Sequence, residues 1–467
     1  MPPPESEQVF ARMSGLPHCL FLDSAQHDPL LGRYSFLAAD PFEFLELPAD
    51  GSDGLAVLAQ RMTGLRTAAV AELPPFQGGA AGVLSYDLGR SLEVLPRAAV
   101  DEFQVPALAV GLYDVVVALD HVAHRAWIIS QGLPETVPAA RRRRAAERLA
   151  QFRGWLAGKP GSSSERGHPA RLVRPIRPRS EIIPGQLSPQ YPVAGIEGLT
   201  SNFSAAGYLQ AVQRAINYVV AGDIFQVNLS QRLLFPARDD AVSLYLRLRR
   251  RNPAPFAGYF DLGAFQILSA SPERFLRVSA GCVEARPIKG TRPRTGQLEA
   301  DRQAAAELLQ SEKDRAENVM IVDLLRNDLA RVCWPESVKV SQLCGVESYA
   351  YVLHLVSAVE GRLRDDRTPI DLVRAAFPGG SITGAPKVRA MEIIAELEPT
   401  ARGAYCGSLG YLGFDGAMDL SILIRTITAG RGWWQLPVGG GIVAQSVPQE
   451  EYQETWHKAE GLLRALQ

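Results

Sequence analysis

Apolar and polar positions alternate most clearly along residues 224–234. Gln226, Asn228 and Ser230 occupy every second position there, and apolar residues stand between them. Because successive side chains of a strand point to opposite faces, this pattern predicts a strand with one polar face. A polar strand face that turns inward indicates a binding or catalytic site.

The rest of the second half predicts helices and strands without a regular alternation. One helix begins at the predicted N-cap Ser204 and stops at Gly222. Further strands are predicted at residues 265–270, 275–278, 283–287, 405–414, 420–428 and 433–438, and long helices at residues 298–330 and 449–466. This mixture predicts the α+β class.

The first half predicts strands and turns, because short apolar runs are separated by glycine and proline. A basic amphipathic helix at residues 141–155 then leads into a glycine- and serine-rich segment, which predicts a loose linker. Arg141 to Arg144 are interpreted as a solvated helix face rather than a nucleic-acid patch. We divide the chain into an N-terminal region at residues 8–150, a linker at 151–198 and a C-terminal domain at 199–467.

Composition narrows the class of partner. The 49 basic and 50 acidic residues give a net charge of −1, so no overall field attracts nucleic acid or an anionic membrane surface. Five cysteines without a C-x-x-C pair argue against a disulfide framework and a thiolate metal site. No signal-peptide pattern and no run of about 18 apolar residues is found. We expect a cytoplasmic protein that binds a small molecule.

Two predicted helices each carry a pair of carboxylates three positions apart. The pairs are Asp314 with Glu317 and Glu451 with Glu454. Because residues three apart share a helix face, each pair would present its oxygens together. Four carboxylates suit Mg²⁺. Acidic pairs are also common on exposed helices, so surface solvation stays an alternative for the pattern alone.

Two further residues have the chemistry of catalytic groups. Lys289 follows a predicted strand, and Gly290 beside it lets backbone approach a ligand. Neighbouring arginines would lower the pKa of this lysine and favour a nucleophile. Glu273 stands at a predicted turn, where a carboxyl group could act as a general acid. The alternatives are a salt-bridged lysine and a glutamate paired with Arg274.

The remaining candidates indicate an anionic ligand. The three glycines Gly439 to Gly441 could offer backbone N–H groups to an anionic oxygen, and Arg425 in an apolar segment suits a carboxylate of a ligand or of the protein. His354 and Ser357 stand at the spacing of one helical turn, where a core histidine is the usual explanation. Neither a Walker lysine pattern nor G-x-G-x-x-G is present, so nucleotides are not implied.

In this order, the segments resemble the chorismate-utilising enzymes. The matching segments are QVNLSQR from Gln226, SPERF from Ser271, RPIKGTRPR from Arg286, DRAEN from Asp314, DLLRNDL from Asp323, the His354 and Ser357 pair, GSITGAPK from Gly380, IRT from Ile424, GGGI from Gly439 and EEYQET from Glu450. The likeness covers residues 204–467, and LDS from Leu22 and GRYSF from Gly32 extend it to the N-terminal region. The fold that this resemblance implies has two packed antiparallel sheets with helices outside.

The residue at Lys289 separates branches of this family. Anthranilate synthases typically have alanine there, in PIAGT, whereas the aminodeoxychorismate branch has the PIKGT found here. Gln226 stands where isochorismate and salicylate synthases carry a water-activating lysine, which disfavours water addition. The resemblance therefore implies amination of chorismate, for p-aminobenzoate and folate biosynthesis. The alternatives are anthranilate synthesis and a non-catalytic regulator that binds tryptophan or chorismate.

The resemblance also implies roles for residues. Lys289 would be the nucleophile and Glu273 the proton donor, with His354 and Thr383 lining the reacting region. Mg²⁺ would be held by Glu317 and Glu454, with support from Asp314 and Glu451. The substrate would contact Gly290, Thr291, Tyr405, Arg425, Gly439, Gly440, Gly441 and Lys458. No glutaminase sequence is present, so we expect ammonia from a separate glutamine amidotransferase subunit.

Relatives also have a tryptophan molecule bound in the N-terminal part, and the resemblance implies a pocket for this ligand here. Its residues would be Ser24, Leu31, Gly32, Arg33, Tyr34, Pro255, Phe256 and Ala257. Anthranilate synthases that are inhibited by tryptophan read PYM at the last three positions. The PFA of this chain argues against regulation by tryptophan, and a structural tryptophan stays an alternative.

Overall fold

The computed structural model describes residues 5–29, 31–158, 180–348 and 352–467. The helices are α1 Ser6–Met13, α2 Gly54–Met62, α3 Pro138–Leu156, α4 Ala205–Val220, α5 Ala241–Arg251, α6 Leu298–Gln310, α7 Glu312–Ala330, α8 Pro369–Ala376, α9 Lys387–Leu397 and α10 Pro448–Ala465. The strands are β1 Leu20–Asp23, β2 Tyr34–Ala38, β3 Glu43–Leu47, β4 Gly79–Leu84, β5 Leu108–Tyr113, β6 Val115–Asp120, β7 Arg125–Ser130, β8 Tyr191–Pro192, β9 Thr200–Ser201, β10 Gln226–Pro236, β11 Phe256–Asp261, β12 Phe265–Ser271, β13 Arg274–Ser279, β14 Cys282–Ala285, β15 Ile288–Pro293, β16 Lys339–Ser348, β17 Val352–Arg362, β18 Gly384–Ala385, β19 Ser408–Gly413, β20 Met418–Ile422, β21 Thr426–Gly430 and β22 Trp433–Ile442.

These strands form two sheets, which confirms the predicted fold class. The first sheet has the order β7-β6-β2-β1-β11-β12-β21-β22-β10-β9-β8, with β18 also paired to β10. The second has the order β15-β17-β14-β13-β20-β19-β4-β5-β3, with β16 also paired to β17. Neighbouring strands run antiparallel, for example β10 beside β22 and β4 beside β19.

The N-terminal region contributes strands to both sheets. Strand β1 pairs with β11, and Leu20 stands opposite Phe260. Strand β4 lies between β5 and β19, where Leu84 stands opposite Ser408. The predicted domain boundaries stay a prediction, and residues 159–179 of the predicted linker lie outside the described residues.

A hydrophobic core lies between the two sheets. Aromatic contacts cross it, with ring centroids 6.3 Å apart for Phe44 and Phe260 and 5.9 Å apart for Phe36 and Tyr411. Helices α5 and α10 pack on the first sheet, and α7 packs on β15 and β17 of the second. Apolar residues on both faces of the sheets thus make one structure of sheets and outer helices.

Several predicted elements have different limits in the structure. Ser204 is the N-cap as predicted, and its side chain accepts a hydrogen bond from the backbone of Gly207 at 3.0 Å. The single helix predicted at residues 298–330 is wrong, because extended Ser311 separates α6 from α7 and caps α7. The strand predicted at residues 420–428 is likewise interrupted between β20 and β21, where Arg425 has a φ of 52°.

The helical spacing of His354 and Ser357 is a third correction. Both residues lie on strand β17, where residues three positions apart point to opposite faces. Their separation therefore does not place them on one surface. In the described part of the chain, no helix has both the length and the apolar character needed to span a membrane.

Candidate active site

Lys289 lies on β15 beside a bulge. It stands opposite Leu355 of β17, and the register shifts between Lys289 and Thr291. Gly290 in the bulge has a φ of 74°, a conformation that glycine adopts without strain. A Cβ atom at Gly290 would lie 2.9 Å from Cγ of Asp314, so the glycine also allows α7 to approach the strand.

The amino group of Lys289 has two polar contacts. Its Nζ lies 3.5 Å from Oε2 of Glu317 on α7 and donates to the carbonyl oxygen of Ser381 at 3.4 Å. The lysine side chain is 11% exposed. Lys289 therefore forms an ion pair, as in the alternative of a salt-bridged lysine. Its partner is Glu317, a predicted metal ligand, and the site is nearly closed to solvent.

Glu273 lies close to this lysine, in the turn between β12 and β13. Its side chain is buried, and Oε1 accepts a hydrogen bond from Oγ of Ser381 at 2.8 Å. Burial raises the pKa of Glu273 to about 7, against the opposing effects of the Ser381 hydrogen bond and the Lys289 charge. A carboxyl group with this pKa can carry a proton near neutral pH and release it.

The alternative partner for Glu273 is excluded by the geometry. The guanidinium of Arg274 instead contacts Asp419 and Glu284, each at 3.0 Å. It also lies 5.0 Å from the ring centroid of Phe256. Arg274 thus joins neighbouring strands and leaves Glu273 to the site.

His354 and Thr383 have defined hydrogen-bond partners. Nδ1 of His354 lies 2.9 Å from Oγ1 of Thr291 on the neighbouring strand. Burial lowers the pKa of His354 to about 4, so this imidazole is neutral at pH 7. The hydroxyl of Thr383 donates to the carbonyl of Gly379 at 2.9 Å. Their predicted places beside the reacting atoms stay predictions.

Three of the four predicted metal ligands are paired with lysines. Besides Lys289 with Glu317, the ammonium of Lys313 lies 3.3 Å from Glu451, and that of Lys458 lies 2.6 Å from Glu454. Asp314 is turned towards Arg292, with 3.5 Å between Nη2 and Oδ2. Among the residues that the structure describes, no three Asp, Glu, His or Cys side chains form a group that could hold a metal.

The donors nevertheless fit a magnesium ion. Oε2 of Glu451 is buried and has no hydrogen-bond partner within the described chain. A Cβ atom at Gly440 would lie 3.5 Å from this oxygen and 3.4 Å from Oε1 of Glu454, so the glycine leaves space beside both carboxylates. Mg²⁺ typically binds one or two carboxylates and completes its shell with water or substrate oxygens.

The glycine segment lies on β22 between α10 and β10. Nζ of Lys458 donates to the carbonyl of Gly439 at 2.9 Å, which joins the helix to the strand. A Cβ atom at Gly441 would lie 2.6 Å from Nε2 of Gln226 and 3.6 Å from Oε2 of Glu317. Strands β10 and β22 and helices α7 and α10 therefore meet here.

The polar face predicted for residues 224–234 supplies free groups at this meeting point. Gln226 is fully buried, and neither atom of its side-chain amide has a hydrogen-bond partner among the described residues. Oδ1 of Asn228 is likewise buried and unpaired in that part of the chain. Burying unpaired amides costs free energy, so these groups are suited to a polar ligand.

Arg425 and Tyr405 lie beside the same region. The guanidinium of Arg425 donates to the backbone carbonyl of Lys458, and burial lowers the pKa of Arg425. Tyr405 is buried, and its ring lies 5.8 Å from the guanidinium carbon of Arg402. Arg425 has no protein carboxylate in hydrogen-bond contact among the described side chains, which favours a ligand carboxylate as its partner.

Two groups of this site could not be identified from residue type. Ser381 was only part of a matching segment, yet it contacts both Glu273 and Lys289. The buried pair of Glu398 and Arg402 supports the site from behind, since Arg402 donates to the carbonyl of Asn228 at 2.8 Å. In the sequence, Ser381 could be noticed only by its position within the GSITGAPK segment. Glu398 and Arg402 could be noticed only as opposite charges at i,i+4 spacing.

The segments of the predicted tryptophan pocket also come together. Oγ of Ser24 donates to the carbonyl of Tyr34 at 2.6 Å, and Ala257 stands opposite Asp23 in the sheet. The other members are placed as follows: Leu31 and Gly32 bond to Asp28, Arg33 forms a two-pronged contact with Asp120, Pro255 precedes β11, and Phe256 begins it. Tryptophan binding stays a prediction.

Comparison with known proteins decides the family. Residues 32–464 match the family model described as chorismate binding enzyme. This chain belongs to that family. It is 41% identical to aminodeoxychorismate synthase component 1 of Salmonella typhimurium, over 100% of this chain and 96% of that protein. It is 43% identical to anthranilate synthase component 1 of Thermus thermophilus, over 85% of this chain and 79% of that protein.

A solved structure supports the same placement of this chorismate-binding enzyme. Anthranilate synthase component I from Streptococcus pneumoniae aligns with a TM-score of 0.75 and 31% identity, covering 93% of each chain. The predicted family and fold are therefore confirmed.

Proposed function

We propose that this protein is the component of aminodeoxychorismate synthase that replaces the C4 hydroxyl of chorismate with an amino group. The observation that carries the proposal is the position of Lys289, which shares one nearly closed site with the protonatable Glu273. Relatives of that name match the whole chain. Relatives named anthranilate synthase also match, and the lysine in PIKGT disfavours that alternative.

In the first step, the ammonium of Lys289 loses a proton to solvent, and the neutral amine then attacks C2 of chorismate. The ring double bonds shift, the bond from C4 to its hydroxyl breaks, and Glu273 gives a proton so that water leaves. The product of this step is a covalent adduct between the lysine nitrogen and C2. The adduct nitrogen then loses its extra proton, and Glu273 as a carboxylate can accept it.

In the second step, ammonia adds at C4. The double bonds shift back, and the bond between C2 and the lysine nitrogen breaks. The lysine nitrogen takes up a proton, and the ammonium formed at C4 loses one. Two displacements thus exchange the hydroxyl for an amino group, and the net reaction consumes ammonia and releases water.

Glu317 and Glu454, supported by Asp314 and Glu451, would hold Mg²⁺ at the substrate. When bound, the ion would offset the repulsion between these carboxylates and the ring carboxylate of chorismate. Lys289 would lose its ion pair with Glu317 when that carboxylate turns to the ion.

Binding of the two substrate carboxylates is assigned to residues on β15 and on and around β22. These residues are Gly290, Thr291, Tyr405, Arg425, Gly439, Gly440, Gly441 and Lys458. Backbone N–H groups and a guanidinium are suited to carboxylate oxygens. His354, neutral and beside Thr291, and Thr383 would line the reacting ring without adding charge.

A separate glutamine amidotransferase subunit is proposed as the source of ammonia. The relatives' names designate a first component, which implies a second one in those proteins. The aminated product would serve p-aminobenzoate and folate synthesis in the cytoplasm. A tryptophan bound near Ser24 and Phe256 would have a structural role, and a thermal shift on addition of L-tryptophan tests it.

The proposed activity is tested with purified protein, chorismate, Mg²⁺ and ammonium, with product identified by mass. Aminodeoxychorismate from the native chain, and its loss in Lys289→Ala, is the expected result. Fluorescent anthranilate from the native chain would move the assignment to the tryptophan pathway. No consumption of chorismate would favour a non-catalytic regulator.

A further inference from the structure

Ser381 lies between Glu273 and Lys289, which are the proton donor and the nucleophile of the proposed mechanism. Its hydroxyl donates to Oε1 of Glu273 at 2.8 Å, and its carbonyl accepts from Nζ of Lys289 at 3.4 Å. One residue thus contacts the proton donor through its side chain and the nucleophile through its backbone.

The short turn that carries Ser381 is held by its neighbours. Ile382 accepts a hydrogen bond from Arg402 through its carbonyl at 3.0 Å, and the carbonyl of Thr383 accepts from the backbone of Asn228 at 2.8 Å. Gly380 packs closely against Leu324 of α7. Because these contacts do not involve the hydroxyl of Ser381, the turn should keep its position when that hydroxyl is removed.

The hydroxyl of Ser381 has a directional effect on Glu273. A hydroxyl that donates to Oε1 fixes the rotation of the carboxyl group and occupies one of its oxygens. The backbone N–H of Ile288 is a second donor to this carboxyl group. We expect the acidic proton on the edge of the carboxyl group that these two donors leave free. A general acid must present its proton in one orientation to be effective.

We propose that Ser381 is a positioning residue for the amination. Its hydroxyl orients the carboxyl of Glu273 towards the leaving hydroxyl of chorismate, and its carbonyl holds the amino group of Lys289 beside the chorismate ring. This inference rests on the proposed function, because it assigns a role within that reaction. It concerns a side chain that makes no contact with substrate in the proposed scheme.

The same contact affects the titration of Glu273. The charged and titratable groups facing this carboxyl are Lys289 on β15 and Cys406 before β19, while neighbouring Arg274 turns to Asp419 and Glu284. The Ser381 hydrogen bond favours the carboxylate and so lowers the pKa of Glu273. Removing the hydroxyl should therefore move the fall of activity with rising pH to a higher pH.

The test measures chorismate consumption against pH for the native protein, Ser381→Ala and Ser381→Thr. Ser421→Ala is the matched control, because Ser421 is a buried serine that donates to the carbonyl of Leu409 and not to Glu273. For Ser381→Ala we expect kcat to fall about ten- to a hundred-fold with KM little changed, as expected for loss of a hydrogen bond to a charged group. The falling limb should move to higher pH, and Ser381→Thr should restore both.

Consumption is followed whatever product forms, so a different product would refute the proposed function and still leave the role of Ser381 measurable. The titration of Glu273 is also read without turnover, from the infrared carboxyl band that Glu273→Gln removes. A pKa of Glu273 that stays in place in Ser381→Ala, or that moves equally in Ser421→Ala, would overturn the inference. The inference would also be overturned if Ser381→Ala lowered kcat and the melting temperature together and left the falling limb of the pH profile in place.

Discussion

The ammonium nitrogen of Lys289 lies 3.5 Å from Oε2 of Glu317, so the predicted nucleophile is paired with a predicted metal ligand. Lys313 and Lys458 make the corresponding contacts with Glu451 and Glu454. A divalent cation that enters this site must therefore compete with ammonium groups already held by the carboxylates.

The substitution Lys313→Met should tighten Mg²⁺ binding, because it removes the ammonium that competes for Glu451. The side chain of Lys313 is 46% exposed, so solvent screening limits the gain to about two- to five-fold in Kd. Titration calorimetry at fixed pH and ionic strength measures this. Lys339→Met, at an exposed lysine paired with Glu360, is the control and should leave Kd unchanged. Weaker binding in Lys313→Met would contradict the competition.

The substitution Glu273→Gln should reduce kcat about 10²- to 10⁴-fold, the usual contribution of a general acid. The amide keeps the shape of the side chain but has no acidic proton, so KM for chorismate should change little. Steady-state kinetics with ammonium as the nitrogen source measures both constants. Glu360→Gln, at a partly exposed strand residue away from Lys289, serves as control. Unchanged turnover in Glu273→Gln would assign proton transfer to another group.

Glu273 should also make stability depend on pH. Its pKa rises to about 7 on folding, above the ordinary value of 4.5, so its contribution is present below pH 4.5 and is lost as pH rises through 7. Native protein should therefore lose stability relative to Glu273→Gln over this range, by on the order of 3 kcal/mol. Urea unfolding of both proteins at pH 5 and pH 8 checks the sign. A difference that is equal at the two pH values would show that Glu273 keeps its ordinary pKa.

Substitutions in the glycine segment should separate binding from folding. A Cβ atom at Gly440 would meet side-chain atoms of Glu454, Lys458 and Glu451 no closer than 3.4 Å, so Gly440→Ala should fold and raise KM for chorismate. A Cβ atom at Gly439 would lie 2.4 Å from the backbone oxygen of Leu229, so Gly439→Ala should lower the melting temperature. Thermal unfolding and kinetics of the two variants distinguish these effects. Equal melting temperatures for both would contradict the assignment.

Residue type and order were sufficient to assign predicted roles to the side chains that the matching segments carry, and those roles stay predictions. Lys289 and Glu273 each stood in a segment whose likeness to one family assigned a role. In the fold, Ser381 contacts both of them. Ser381 itself could not be selected from the sequence, because a serine hydroxyl has no preferred partner until the turn places it.

Local patterns failed where tertiary contacts set the backbone. The apolar residues after Ser311 continue a helical pattern, yet the serine takes an extended conformation and caps α7. The spacing of His354 and Ser357 fits a helix equally well, but β17 is held as a strand between β14, β15 and β16. Periodicity over a few residues cannot distinguish these cases.

The pairing of β4 with β19 and of β10 with β22 has a consequence during synthesis of the protein. Leu84 pairs with Ser408, and Val227 pairs with Ile442. Neither sheet can therefore be completed until strands near the end of the chain have been synthesised. While the ribosome is still translating the middle of the message, the edges of β4 and β10 stay without these partners. Contacts between such distant positions slow folding and leave apolar strands open to aggregation. We therefore expect the nascent chain to be most open to aggregation before residues 408–442 emerge.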